Sequence, residues 1–469
     1  MRRFDLAVVG SGPGGYRAAV LAALRGLKVA IIEKGVWGGT CLNRGCVPKK
    51  TWYHTAKLVA GNAGYVERGL QGRLTPDLSQ AWRHQREVVA TVRDSYVDYL
   101  KRLGIAAFGA EARFVSPQEL AIGGERIHCE HAVIATGSRP IVPDWTTRAP
   151  GRVLTTDDLF DAPPPPGRRV AVIGSGVIGT EMAFILAMLG LDILWLTQSS
   201  PLARTRFSRQ ARQLLTSALE AHGVRARESS RPRTCEIDTD GVTLTLPDGT
   251  SERVDWLLLG AGRRPNIEHL GLEAAGVTLA ANRFIAVNDL MRTTAENIYA
   301  IGDCADPAMT SNHALAEAAV AVANVIEPGS RRRSEVNIPE VVYSAMELAR
   351  FGWSEEEAEE QDLEPATGFA GLEISPAALA LGEPRGFARV VADHDSGRLL
   401  GAEAVGAHAG EWLQALLPVA GREDALASVA AAAWNHPSLG EEWLNAVETL
   451  AAKWGLETKV FTAGRKTAE

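Results

Sequence analysis

The sequence predicts an α/β fold in which one strand–turn–helix–strand unit is used twice, with an α+β region at the C-terminus. Three observations predict it. A G-x-G-x-x-G turn occurs twice, each time between an apolar strand and an apolar helix. Proline and glycine clusters punctuate the 469 residues at intervals that suit domains of roughly 100–200 residues. Past residue 336, short apolar strands are interspersed with Ala/Leu/Trp helices, the pattern of a separate α+β domain.

The first unit runs from strand Phe4–Val9 through Gly10-Ser11-Gly12-Pro13-Gly14-Gly15 into a helix, then strand Lys28–Ile32, ending at Glu33. The second repeats the plan with strand Val170–Ile173, turn Gly174-Ser175-Gly176-Val177-Ile178-Gly179, a helix and strand Asp192–Leu196. Such a turn lets the backbone approach a pyrophosphate, and the helix start supplies free N–H groups and partial positive charge. Both units therefore read as Rossmann-like dinucleotide-binding domains. The copies differ at the ribose. Glu33 lies 23 positions after Gly10, where an acid accepts bonds from ribose hydroxyls. The same step from Gly174 lands on Thr197, and Arg204 and Arg206 follow. Loss of the acid beside arginines suits a 2′-phosphate and hence NADP(H); a solvated, merely decorative pair of arginines is the alternative. NAD(H) or NADP(H) stays open.

Boundaries follow from composition. Pro163–Pro166 reads as a stiff connection into the second unit. Gly260–Asn266 follows strand Trp256–Leu259 and closes that unit, and a Gly/Arg-rich linker spans Ile326–Arg333. Strands Val341–Tyr343, Ala388–Ala392 and Leu399–Val405 belong to the last region. The resulting division is 1–150 with 285–335, 151–284, and 336–469.

Bulk properties narrow the class. With 46% hydrophobic and 22% charged residues the chain can bury sizeable cores and is not a disordered polymer. A net charge of −7, from 49 Lys+Arg against 56 Asp+Glu, disfavours nucleic acid as a partner. Arg2 and Arg3 before Leu6–Val9 imitate a signal peptide, but the apolar stretch is too short and reads as a buried strand. No apolar run approaches the roughly 20 residues of a membrane span. Five cysteines in a chain this long are not a secreted disulfide framework, so a cytoplasmic location is expected.

The densest signal is Gly38-Gly39-Thr40-Cys41-Leu42-Asn43-Arg44-Gly45-Cys46-Val47-Pro48-Lys49-Lys50. Cysteines five positions apart can meet across about one helical turn. A zinc reading fails for want of further ligands, and a buried incidental pair is the bland alternative. Next to a dinucleotide turn, in a reducing compartment, the pair reads as redox-active.

With these segments in hand the chain resembles the FAD-dependent pyridine-nucleotide disulfide oxidoreductases, which include dihydrolipoamide dehydrogenase, glutathione reductase and mercuric reductase. The resemblance covers essentially the whole chain. It also rests on Ala135-Thr136-Gly137-Ser138-Arg139-Pro140, Gly260–Asn266, Tyr299–Asp303, Ile338–Tyr343 and His436–Glu441. It implies FAD on the first unit, the nicotinamide cofactor on the second and a C-terminal dimerisation domain. Cys46 would be the flavin-side sulfur and Cys41 the interchange sulfur. Lys49 or Lys50 would lie near the flavin ring with Glu181 as ion-pair partner, unless that pair is a plain structural salt bridge. Asp303 would sit at the ribityl end of FAD. The resemblance extends cofactor contacts to Gly10, Gly12, Gly15, Glu33, Lys34, Thr40, Ala135, Thr136, Gly137, Gly302, His313 and Ala314. On the nucleotide side it adds Gly174, Gly176, Gly179, Arg204 and Gly262.

His436 stands apart from nine other histidines because Glu441, five residues on, can hold the imidazole's far nitrogen, with Glu442 as the alternative partner. Such a pair deprotonates a thiol, and the thiolate is the nucleophile of disulfide exchange. The resemblance places it in the partner subunit's active site, making the enzyme an obligate homodimer. Pro13-Gly14-Gly15-Tyr16-Arg17 is similar to dihydrolipoamide dehydrogenase, whereas Val47-Pro48-Lys49-Lys50 is similar to glutathione reductase. The tail from Val460 has no cysteine pair, which disfavours mercuric reductase and the large thioredoxin reductases. Ser344–Glu347 replaces the usual acid–proline segment. Trp434 stands where many relatives carry a second histidine, either reshaping the disulfide channel or packing at the dimer interface. The expected activity is a dithiol/disulfide oxidation–reduction against NAD(P), on a lipoyl-type dithiol such as a lipoylated carrier, or on a small disulfide with NADPH. A non-catalytic flavoprotein subunit of a lipoyl assembly is the reading from another class.

Overall fold

The computed structural model describes residues 1–461; the end of the cysteine-free tail lies outside the described residues. Its first sheet joins β1 (Arg2–Val9), β2 (Val29–Ile32), β3 (Ala106–Phe108), β4 (Ala112–Ser116), β5 (Glu119–Ile122) and β6 (Glu125–Ile134) in the order β3-β2-β1-β6-β5-β4. The parallel part is β3-β2-β1-β6, and β4 and β5 add an antiparallel edge. A late strand, Ile298–Ala300, returns to pair with the C-terminal end of β6. β1 and β2 are Val/Ile/Ala-rich because both faces of this part of the sheet are buried, one under helices and the other under β4, β5 and the segment 267–295.

Two short strands lead out of this sheet. β7 (Ser138–Pro140) leaves the first sheet, and β8 (Val153–Thr155) enters the second. The second sheet continues with β9 (Arg169–Ile173), β10 (Asp192–Leu196) and the short Ala226–Arg227, and closes on Trp256–Leu259, all parallel. Its first strand and the helix Thr156–Asp161 precede Pro163–Pro166. The proline run is therefore a loop within this unit rather than its entrance. β8 offers only three residues, Val153, Leu154 and Thr155, too few to show a period in the sequence. Arg263–Pro265 pairs antiparallel with β7, tying the two nucleotide units together. The last region is a five-stranded antiparallel sheet made of Glu340–Tyr343, Glu347–Gly352, Pro365–Gly371, Phe387–Asp393 and Leu399–Gly406.

Helix α1 (Pro13–Leu24) follows the first turn. Helices α2 (Gly39–Arg44) and α3 (Cys46–Ala60) carry the cysteines, and Gly45 breaks the chain between them. Trp52 of α3 is fully buried 5.1 Å from the Phe160 ring, in a core that also holds Trp195 and Trp256 of the second unit. Truncating such a tryptophan costs about 3–5 kcal/mol. The redox segment is thus fixed against the second nucleotide unit as well as the first.

Candidate active site

Both glycine turns are built alike. Gly10 (φ +105°) and Gly174 (φ +124°) lie in the left-handed region, and a Cβ on either would sit 2.3 Å from a carbonyl oxygen, of Ala135 and Gly260 respectively. Helix α1 starts with Gly12 as its N-cap and Pro13 behind it, and the helix Val177–Met188 starts with Gly176. Neither start has a side-chain cap, whereas Thr310, Ser208 and Asp77 do cap the helices that follow them. Uncapped N–H groups are therefore left facing the cleft at both turns. A Cβ on Gly12 or Gly176 would meet nothing within 4 Å, so each backbone borders open space. The cleft they share has a volume of about 2070 Å³, beyond the roughly 300–1,000 Å³ of an ordinary small-molecule site. These features fit FAD and a pyridine nucleotide.

The ribose ends differ. Glu33 accepts bonds from the Ser11 N–H (2.9 Å) and hydroxyl (2.8 Å) through one oxygen and from the Gly35 N–H (2.8 Å) through the other. In the second unit the corresponding contact to Ser175 comes from Ser199, hydroxyl to hydroxyl at 3.1 Å. Thr197 is buried with its hydroxyl on the Arg227 carbonyl. Thr197 follows β10 in the same register as Glu33 follows β2, and no carboxylate takes the position. Arg204 lines the cleft. Arg206 lines the cleft too, with its guanidinium bound to Glu357 (2.6 and 2.8 Å) and the Gly352 carbonyl (2.9 Å).

Cys41 near the middle of α2 and Cys46 at the start of α3 meet thiol to thiol. Gly45 makes this possible, since a Cβ there would lie 3.2–3.3 Å from Thr40 O and Cys41 Cα. The Cys46 thiol is held down at about 6, first by the hydrogen bond from Cys41 and then by the Lys49 charge and the Ser311 hydroxyl. The Cys41 thiol is pushed well up by its bond to Cys46 and by burial. Cys46 is the standing thiolate of the pair and Cys41 the thiol. Ser311, 3.1 Å from the Cys46 sulfur, opens the helix α4 (Ser311–Ile326) and was not singled out from the sequence. Its neighbours His313 and Ala314 were. Only the 265-residue separation hides the contact, and no local pattern could have shown it.

Lys49 and Lys50 part company. Lys49 forms an ion pair with Glu181, whose other oxygen accepts the Tyr343 N–H at 2.8 Å. Lys50 turns away, with its ammonium 3.5 Å from the centre of the Tyr343 ring and 3.8 Å from Glu411. Lys34 reaches out to Glu111. Asp303 accepts from the Ser138 hydroxyl at 2.5 Å, and Ser138 in turn accepts from Arg263 at 2.7 Å. The Gly302 N–H donates to buried Glu317 at 2.7 Å. Among the residues anticipated from sequence, all line the cleft except the packing glycines Gly15, Gly174 and Gly179 and the pair His436–Glu441.

That pair is formed but stands elsewhere. His436 Nδ1 lies 2.9 Å from Glu441 Oε1, and the imidazole is exposed. The second Glu441 oxygen accepts the Ser438 N–H at 2.8 Å, so its position is set by capping a 3₁₀ turn. Glu442 instead is buried and bonded to Asn445. Trp434 packs against Gly440 and donates its indole N–H to Val429 O at 2.9 Å. One chain does not bring His436 to the cysteines.

A thiolate–thiol pair on a cleft between two dinucleotide turns defines a class: an enzyme that exchanges electron pairs between a nucleotide cofactor and a disulfide. Residues 4–323 match the pyridine nucleotide-disulphide oxidoreductases and residues 338–447 match that family's dimerisation domain. The chain belongs to this family, a FAD- and NAD(P)-dependent one, and carries the domain through which a homodimer forms. It is 34% identical to the dihydrolipoyl dehydrogenase of Thermus scotoductus, over 96% of this chain and 98% of that one. It is 30% identical to a glutathione reductase of Burkholderia cepacia, over 94% and 98%. LpdA from Mycobacterium tuberculosis has the same fold, with a TM-score of 0.88, 21% identity and coverage of 96% and 99%. Among the described residues no helix is long and apolar enough to cross a membrane.

Proposed function

We propose that the enzyme passes electron pairs between a lipoyl-type dithiol and a pyridine nucleotide through Cys41 and Cys46. The split between the two sulfurs carries the reading. In dithiol oxidation one substrate thiolate attacks Cys41 of the oxidised pair; the Cys41–Cys46 bond breaks and Cys46 leaves with the electron pair. A low thiol pKa makes a fast leaving group, and Cys46 at about 6 is the better one. The second substrate thiol, deprotonated by His436, then displaces Cys41 and closes the product disulfide. FAD, when bound along the first turn, supplies the two-electron relay from the dithiol pair to the nicotinamide. Lys49, paired with Glu181, adds the positive charge that keeps Cys46 ionised.

His436 acts in the neighbouring subunit's site, which accounts for an exposed His–Glu pair remote from the cysteines of its own chain. The dimer is then obligate, and a lipoylated carrier protein is a substrate of the expected size class. The odd cysteine count, with Cys129, Cys235 and Cys304 unpaired, supports a reducing, cytoplasmic setting.

A second reading is an NADPH-dependent reductase of a small disulfide. It is supported by the missing acid at the second ribose position, by Arg204 on the cleft and by the Burkholderia relative's name. Steady-state turnover with dihydrolipoamide plus NAD⁺ or NADP⁺, against NADPH plus glutathione disulfide, separates the two. Dihydrolipoamide oxidation at least tenfold more efficient supports the first reading. Turnover confined to NADPH and the small disulfide sinks it.

A further inference from the structure

The segment Leu202–Phe207 links the nucleotide unit to the C-terminal sheet. At one end the Leu202 N–H donates to the Ser175 carbonyl of the second glycine turn at 2.8 Å, and Leu202 holds φ +57°, a conformation costly for a branched side chain. At the other end Arg206 clasps Glu357 through two nitrogens, reaches the Gly352 carbonyl and lies 3.5 Å from Glu340. Two residues on, the Ser208 N–H donates to Glu403 at 2.8 Å. All four partners, Glu340, Gly352, Glu357 and Glu403, belong to the C-terminal region. Between these anchors Arg204 and Thr205 face the cleft.

Arg206 is nearly half exposed, and an isolated ion pair there would contribute little. Its setting differs from that of an isolated pair. Arg350, only 4% exposed, donates to the Arg206 carbonyl (2.5 Å), to the Gly352 carbonyl (2.7 Å) and to Glu357 (3.0 Å). Glu357 is further fixed by the Ser354 N–H at 2.8 Å. Burial pushes the Glu357 carboxyl up, yet Arg206, Ser354 and Arg350 hold it down at about 2. A multiply bonded cluster anchored on a buried arginine has one geometry and imposes it on the backbone it grips.

We propose that the Arg350–Glu357–Arg206 cluster is a positioning device that presses Leu202–Phe207 against the second glycine turn and thereby sets the affinity for the pyridine nucleotide. It rests on the reading that this turn holds that cofactor. None of the three side chains is assigned to the chemistry; they act through Arg204, Thr205 and the Ser175 carbonyl.

The test compares the wild-type holoenzyme with Glu357→Gln and Glu357→Asp. Binding of NADH and of NADPH is titrated, and steady-state constants are set beside the single-turnover rate of flavin reduction by dihydrolipoamide. Glu357→Gln should raise Kd and KM for the nucleotide about tenfold. It should leave kcat at saturation within about twofold and the dithiol half-reaction unchanged, with Glu357→Asp intermediate. Unaltered nucleotide binding overturns the proposal, as does an equal loss in both half-reactions. An enzyme whose variants lose nucleotide affinity while wild type oxidises no dihydrolipoamide keeps this device and loses the substrate assignment instead.

Discussion

The Ser311 hydroxyl lies 3.1 Å from the Cys46 sulfur, at the first turn of the helix capped by Thr310. A donor there favours the thiolate over the thiol, alongside the Cys41 thiol and the Lys49 charge. Ser311→Ala should therefore raise the pH at which Cys46 ionises by about half a unit to one unit. The thiolate's long-wavelength absorbance in the reduced enzyme reports it directly. An unshifted titration midpoint would show that the hydroxyl donates elsewhere.

Glu441 holds His436 with one oxygen and caps Ser438 with the other. Glu441→Gln keeps a cap-accepting oxygen and a hydrogen bond to the ring but removes the charge that stabilises an imidazolium. Dithiol turnover should fall roughly tenfold to a hundredfold. Nucleotide-driven flavin reduction in the same variant should stay at the wild-type rate, since that step needs no base to deprotonate a substrate thiol. Loss of both together would point to a damaged dimer rather than a missing base.

Sequence and structure agree best where chemistry is local. The two glycine turns, the cysteine segment and the His436–Glu441 spacing each lie within a few residues, so their types and intervals betray their geometry. Lys49 and Lys50 were indistinguishable because the direction of each side chain depends on Glu181 and Tyr343, over a hundred residues away. The bond from Arg206 to Glu357 spans 151 positions, so no local pattern announces it. β8 was too short to announce itself, and Ser311 carries no signature without Cys46 beside it.

Glu317 is almost wholly buried and, pushed up chiefly by burial and then by Asp306, titrates at about 8. Asp306 is the charged member of that pair, with Arg333 at 3.5 Å from Glu317 and 3.7 Å from Asp306. A carboxyl whose folded value is raised above its unfolded value binds an extra proton in the native state. Stability is then lost as pH rises from about 4.5 to about 8. Glu317→Gln can still offer an oxygen to the Gly302 N–H and an amide N–H to Asp306. It should match wild type near pH 5 and exceed it by about 1–2 kcal/mol at pH 8. Denaturant unfolding at the two pH values measures this; equal slopes against pH would mean that Glu317 is ionised in the folded protein.

The first glycine turn offers a contrast within three residues. A Cβ on Gly15 would stand 2.0 Å from the Gly10 carbonyl oxygen, a clash with backbone that cannot move without opening the turn. A Cβ on Gly12 would meet nothing within 4 Å, and its φ of −61° suits any residue. Gly15→Ala should accordingly misfold or melt at a markedly lower temperature, with or without cofactor. Gly12→Ala should fold with an apoprotein Tm within a few degrees of wild type. Its added methyl would occupy the space that the backbone leaves for the FAD pyrophosphate, so the purified protein should retain little flavin. Absorbance-based flavin content and melting of the stripped apoproteins measure the two effects separately. Full flavin occupancy in Gly12→Ala would remove the pyrophosphate from this turn and with it the assignment of FAD to the first unit.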